Sequence, residues 1–232
     1  MKKHTLAGLS AGIAFFAAAA LVPTISGAQD RAPEAPEPST PAVAPLSQTK
    51  PNTLKPVSAF SNIKDETERS IAIFEETGKV ILNPRCVNCH PAGNSPLQGD
   101  DMHLHQPPVR RGDADFGAPG MTCNTCHGQK NVDLVAQSAT IKSIPGSPDW
   151  RLAPSSMAWQ GKTLGQICRQ LKDKNRNGGL TLAQLVDHMA HADIVAWGWH
   201  PGAGRQPVPG TQEEFGNLYR AWVATGAHCP QS

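Results

Sequence analysis

The sequence predicts a mainly α fold with long loops, in one small domain, and three observations carry that expectation. Apolar residues recur at helical spacing behind three capping signatures, Thr163 with Gln166, Thr181 with Gln184 and Thr211 with Glu214. A stretch from Pro91 to Trp159 is rich in Gly and Pro and holds no sustained period. Two pentapeptides of one pattern, Cys86-Val87-Asn88-Cys89-His90 and Cys123-Asn124-Thr125-Cys126-His127, stand just before that stretch and inside it.

The first helix is expected between Asp65 and Thr77, with Ile71, Phe74 and Ile63 on one side and Gly78 as its stop. It delivers the chain to the first pentapeptide. The helix after Thr181 shows Leu182, Leu185, Val186 and Met189 on its apolar face, and the last helix shows Phe215, Leu218, Tyr219, Trp222 and Val223 before Gly226 stops it. Between the helices that start at Thr163 and Thr181, Asp173-x-Asn175-x-Asn177-Gly178-x5-Gln184 imitates a calcium loop. Only Asp173 in it is charged, and a neutral Gln184 stands where a bidentate Glu is required, so it reads as a helix-ending Asn-Gly turn. Residues 91 to 159 read as long loops.

At the N-terminus Lys2, Lys3 and His4 precede an apolar run from Leu6 through Val22 that ends in Ser26-Gly27-Ala28. Residues 1–28 read as a secretory signal and the destination as the periplasm, with an uncleaved membrane anchor as the alternative. After cleavage no stable membrane insertion is expected. Residues 29–58 carry Pro33, Pro36, Pro38, Pro41, Pro45, Pro51 and Pro56 among Ala, Ser and Glu, the composition of a disordered tether. Residues 59–232 fall within the size of one domain. Loss of Lys2 and Lys3 takes the formal charge from +2 to 0, leaving 19 basic against 19 acidic residues, so nucleic acid is not an expected partner.

Cys-x-x-Cys-His is the attachment signature of a covalent haem: two thiols spaced for the two vinyl groups of one porphyrin, with an imidazole placed to ligate the iron. Zinc fits poorly. Thirty-three residues separate Cys89 from Cys123, and a four-thiolate site has no use for the adjacent His90 and His127. A redox dithiol needs one pair and no such His. The expected fold is therefore a single small c-type multihaem domain built around two covalently attached haems c. Cys86, Cys89, Cys123 and Cys126 are the thioether anchors, with His90 and His127 as proximal iron ligands. Low aromatic content makes the protein core thin and the porphyrins important to it.

Two thiols remain, Cys168 and Cys229, which should pair in an oxidising compartment and tie the last helix to the one beginning at Thr163; buried free thiols are the alternative. Candidates for the far side of each iron are His103, His105, His188, His191, His200, His228, Met102, Met121, Met157 and Met189. Four stand out. His105 lies in a Pro-rich loop between the motifs, and Met157 sits in a loop anchored by Pro154 and Trp159. His188 lies beside the apolar face of its helix and His191 nearly opposite, so packing favours His188 unless the helix ends before 191.

The segments Cys-Val-Asn-Cys-His-Pro-Ala-Gly (86 to 93), His-Gln-Pro-Pro-Val (105 to 109), Gly-Ala-Pro-Gly-Met-Thr-Cys-Asn-Thr-Cys-His (117 to 127), Leu-Ala-Pro-Ser-Ser-Met-Ala-Trp (152 to 159) and Trp-Gly-Trp-His-Pro-Gly-Ala-Gly-Arg (197 to 205) resemble a family of exported bacterial dihaem c-type cytochromes. Its members often carry the label isoquinoline 1-oxidoreductase subunit. The resemblance covers about residues 60 to 230 and implies a cytochrome passing electrons from a redox enzyme, a molybdenum hydroxylase, to a respiratory chain. No segment is assignable to molybdopterin, flavin or iron–sulfur binding, so the implied role is that of an electron-transfer subunit. The competing expectations are a haem enzyme, a peroxidase or small-molecule reductase with one open distal site, and a haem-based sensor.

Overall fold

Asp65 opens the first helix by accepting the amide of Glu68 at 2.8 Å, and the chain stays helical over Glu66–Ile81 (α1). The helix overruns its expected stop. Gly78 sits inside it because a later helix approaches there: a Cβ at position 78 would lie 2.9 Å from Cδ2 of Leu164. Ile73, Phe74, Val80 and Ile81 form its buried stripe, while Ile71 is only half-buried. The computed structural model describes residues 53–133 and 143–231, all within one compact unit, Ser47–Ser232. The expected signal at 1–28 and most of the expected tether lie outside the described residues.

The tether ends earlier than its composition suggests. Leu54 is buried in the core, the amide of Lys55 donates to Oε1 of Glu76 at 2.8 Å, and a 3-10 turn at Val57–Phe60 buries Phe60. Residues 53–58 thus pack on the domain, held by α1 in a way that a Pro count does not register.

All three capping boxes form. They start α3 (Leu164–Lys172), α4 (Leu182–His191) and α6 (Gln212–Ala224), with the Thr hydroxyl accepting the amide three residues on and the Gln or Glu side chain accepting the Thr amide. Two short helices join them among the described residues: α2 (Pro84–Val87), capped by Asn83 and carrying Cys86, and α5 (Asp193–Ala196). The turn after α3 is not open to a cation. Asn177 spends its side chain on the carbonyls of Leu171 and Leu180 and the amide of Leu180, and Gly178 takes the left-handed φ of +81°.

The core lies among α1, α3, α4 and α6. Phe74, Phe215, Tyr219 and Trp222 meet edge-on or tilted within it. Gly216 lets α6 touch α4, since a Cβ there would come within 2.5 Å of Ala190 Cβ. The expected bridge is present: Cys168 and Cys229 are joined across 61 residues, fixing α3 to the segment after α6.

The region from 91 to 159 departs from plain loops. Its described residues form three antiparallel pairs of two-residue strands: β1 (Leu97–Gln98) with β2 (His103–Leu104), β3 (Gly117–Ala118) with β4 (Met121–Thr122), and β5 (Val132–Asp133) with β6 (Ser143–Ile144). The fold is helical with small sheets. Two residues are too few to display an alternating pattern, which is why the sequence shows none. Among the described residues from 91 to 150, Leu97 is the one large aliphatic or aromatic side chain that is buried, while Met102, Leu104, Met121 and Val132 are exposed.

Candidate functional site

The first pentapeptide leaves α2 and is zipped to the segment 153–160. Ala153 N donates to Cys89 O (3.1 Å), and Trp159 N and Gln160 N donate to His90 O (2.9 and 3.2 Å). This brings the carbonyl of Met157 to 2.7 Å from Nδ1 of His90. A carbonyl can only accept, so Nδ1 carries the proton and Nε2 keeps its lone pair. Trp159 lies flat on the ring, 3.5 Å between centroids and 9° from parallel.

The second pentapeptide repeats the construction with different parts. Cys123–Thr125 forms a 3-10 turn, and His127 presents Nδ1 to the carbonyl of Pro145 at 2.7 Å, with Trp150 stacked at 4.9 Å and 18°. Asn131 holds this segment to the chain after α5: its Oδ1 accepts from Gly146 N and Trp197 Nε1, and its Nδ2 donates to His200 O. Both motif imidazoles are thus oriented through Nδ1 and leave Nε2 without a hydrogen bond to any described residue. A hydrogen bond at the other ring nitrogen is what orients a histidine that binds metal.

Burial lowers the pKa of His90 to about 4, against the raising effect of the Met157 carbonyl, with the charges of His188 and Arg111 lowering it further. Burial is also the main cause of the lowered pKa of His127, opposed by the Pro145 carbonyl. Cys86 is pushed up to about 12 by burial and then by Cys89, and Cys89 up to about 11 by burial and then by Cys123. These thiols are protonated at neutral pH. All four motif cysteines are unpaired, and among the described residues no group of three or more His, Cys, Asp or Glu is gathered as a metal site of protein ligands alone would need.

The influence of Cys123 on Cys89 reflects how the motifs approach each other. From Cys89, bonded to Ala153, the chain steps to Leu152, whose amide donates to Asp115 O (3.0 Å); Asp115 adjoins Phe116, whose carbonyl accepts from Cys123 N (2.9 Å). Arg111 clamps this ladder. Its Nη1 donates to Asp115 Oδ1 at 2.5 Å and to the carbonyl of Ala153.

The residues that the sequence offers as distal ligands divide sharply. His105 lies with its ring centroid 5.9 Å from that of His127, and its own Nδ1 is tied to Pro107 O at 2.9 Å. Two imidazoles on one iron stand about 6 Å apart, from metal–nitrogen bonds of ~2 Å and ring radii of ~1 Å. His188 is half-buried near His90, its ring makes no hydrogen bond to a described residue, and its pKa is lowered by burial, then by Arg151, against Asp187.

His191 points to solvent, paired with Asp187 at 2.8 Å. Met157 is buried in the helical core, and its carbonyl stands at the Nδ1 edge of His90. His103, bonded to Asp101, His200 and His228 are exposed.

Sequence reasoning missed Trp150, the stacking role of Trp159, the orienting carbonyls of Met157 and Pro145, and Arg111. Carbonyls carry no residue signature. The tryptophans could have been suspected, since few aromatics lie in the region between the motifs and α3. Comparison with protein-family models, curated proteins and solved structures gives no match.

Proposed function

We propose that this chain is an exported dihaem c-type cytochrome that transfers electrons between a redox enzyme and a respiratory chain. The single observation that carries the reading is the duplicated orientation of His90 and His127: Nδ1 on a carbonyl, a tryptophan against the ring, Nε2 left free. Cys86 and Cys89, and Cys123 and Cys126, provide thioether anchors beside them. His188 and His105 are the distal ligands, and Met157 orients His90 through its carbonyl. A haem held this way supplies a one-electron iron couple.

The chain's part is to fix both imidazoles before and after electron uptake, so that little reorganisation accompanies it. The described residues between 91 and 150 bury one large apolar side chain, Leu97, and expose Leu104, next to His105, and Met121, two residues before Cys123, which suits a surface covered by porphyrin. Export to the periplasm agrees with the apolar N-terminus and with the Cys168–Cys229 bridge. Among the described residues no helix is long and apolar enough to cross a membrane. The donor, following the resemblance, is a molybdenum hydroxylase.

The test is spectroscopic. Protein produced with a haem-attachment system should carry two haems per chain by pyridine haemochromogen assay. Both should be low-spin in ferric and ferrous forms and inert to carbon monoxide and cyanide. A high-spin haem that binds either promptly would refute the shuttle and favour a haem enzyme or sensor.

A further inference from the structure

Arg205 is half-buried and held only by neutral groups: Ser143 Oγ, the carbonyl of Ser143 at 2.7 Å and the carbonyl of Pro201 at 3.2 Å. Among the described residues no carboxylate pairs with it. Its anchor, Ser143, lies two residues from Pro145, whose carbonyl orients His127. A second guanidinium, that of Arg85, is almost wholly buried next to Cys86 and within electrostatic reach of Arg205. One carboxylate, the largely exposed Asp100, serves Arg85. Arg85 is thus paired, while Arg205 is a half-buried cation with no countercharge among the described residues, a setting that favours an anion beside it.

We propose that Arg205, anchored on Ser143 and Pro201 beside the segment that orients His127, forms the binding site for a propionate of the haem attached at Cys123 and Cys126. The inference rests on the dihaem reading and adds to it what the site does to the redox couple. A guanidinium beside a carboxylate favours its ionised form. The propionate then stays ionised in both oxidation states, and one electron enters without a proton. Arg205 is a positioning residue and tunes the potential; it does not touch the iron.

Haem-loaded protein and its Arg205→Gln and Arg205→Lys variants are titrated by spectroelectrochemistry from pH 5 to pH 8. The unmodified protein should show a potential for the second haem that is independent of pH. In Arg205→Gln that potential should shift downward and acquire a pH slope, and Arg205→Lys should restore most of the flat profile. Unchanged potentials and slopes in Arg205→Gln would overturn the proposal. Should that variant not accumulate, the unmodified protein decides, since a pH slope on both of its haems overturns it equally. The two readings fail separately: absence of covalent haem sinks the dihaem function, while two haems indifferent to Arg205 sink only the propionate site.

Discussion

Replacing Cys168 and Cys229 together by Ala removes the one covalent tie in the helical core. The bridge spans 61 residues, so in the chain-entropy description its loss frees roughly 14 cal/mol/K in the unfolded chain, about 4 kcal/mol at 25 °C. Cys168 is fully buried in the core cluster that includes Ile167 and Leu171, and loss of its sulfur adds about 1 kcal/mol. A domain of this size holds about 5–15 kcal/mol in total. The double variant should therefore lose about a third of its stability at the upper end of that range and nearly all of it at the lower end.

Urea unfolding of haem-loaded protein, followed by far-ultraviolet circular dichroism and by the Soret band, measures this. The midpoint should fall sharply, with a slope equal to or steeper than that of the parent, because the untied unfolded chain exposes more surface. A loss below about 1 kcal/mol would refute the entropic reasoning and mean that the core alone fixes the C-terminal segment.

Three further outcomes are expected. His188→Ala and His105→Ala should each convert one haem to a high-spin form that binds carbon monoxide, while His191→Ala leaves both low-spin; magnetic circular dichroism separates the cases. Met157→Ala should cost about 2–5 kcal/mol by opening the core yet leave the near-infrared spectrum unchanged, because the group that holds His90 is the backbone carbonyl; loss of a sulfur-to-iron band would refute this. Gly216→Ala gains about 1 kcal/mol of helix propensity, but its methyl would meet Ala190 Cβ at 2.5 Å and Cα at 2.9 Å. Overpacking by about 1–3 kcal/mol should win, and a lowered urea midpoint checks the sign.

Where a feature is built from neighbours in the chain, it was legible. Thr163, Thr181 and Thr211 start helices because their hydroxyls reach amides three residues away, and the face of α6 buries Phe215, Leu218, Tyr219 and Trp222 because 3.6-residue spacing puts them together. Gly78 misled because its role is set by Leu164, on a different helix. The hairpins escaped notice because pairs of two residues carry no period. Helical angle alone separates His188 from His191, whereas the surroundings that divide His105 from Met157 come from other parts of the chain.

Local chemistry in the sequence thus determined the two Cys-x-x-Cys-His motifs, the helix starts, the turn at Asn177 and the pairing of Cys168 with Cys229. Tertiary structure decided which atoms face the motif histidines. Met157 O and Pro145 O come from 67 and 18 residues away, and His105 reaches His127 only because loops fold back on one another. Through-space partners are brought together by the whole fold, so no local stretch of chain records them.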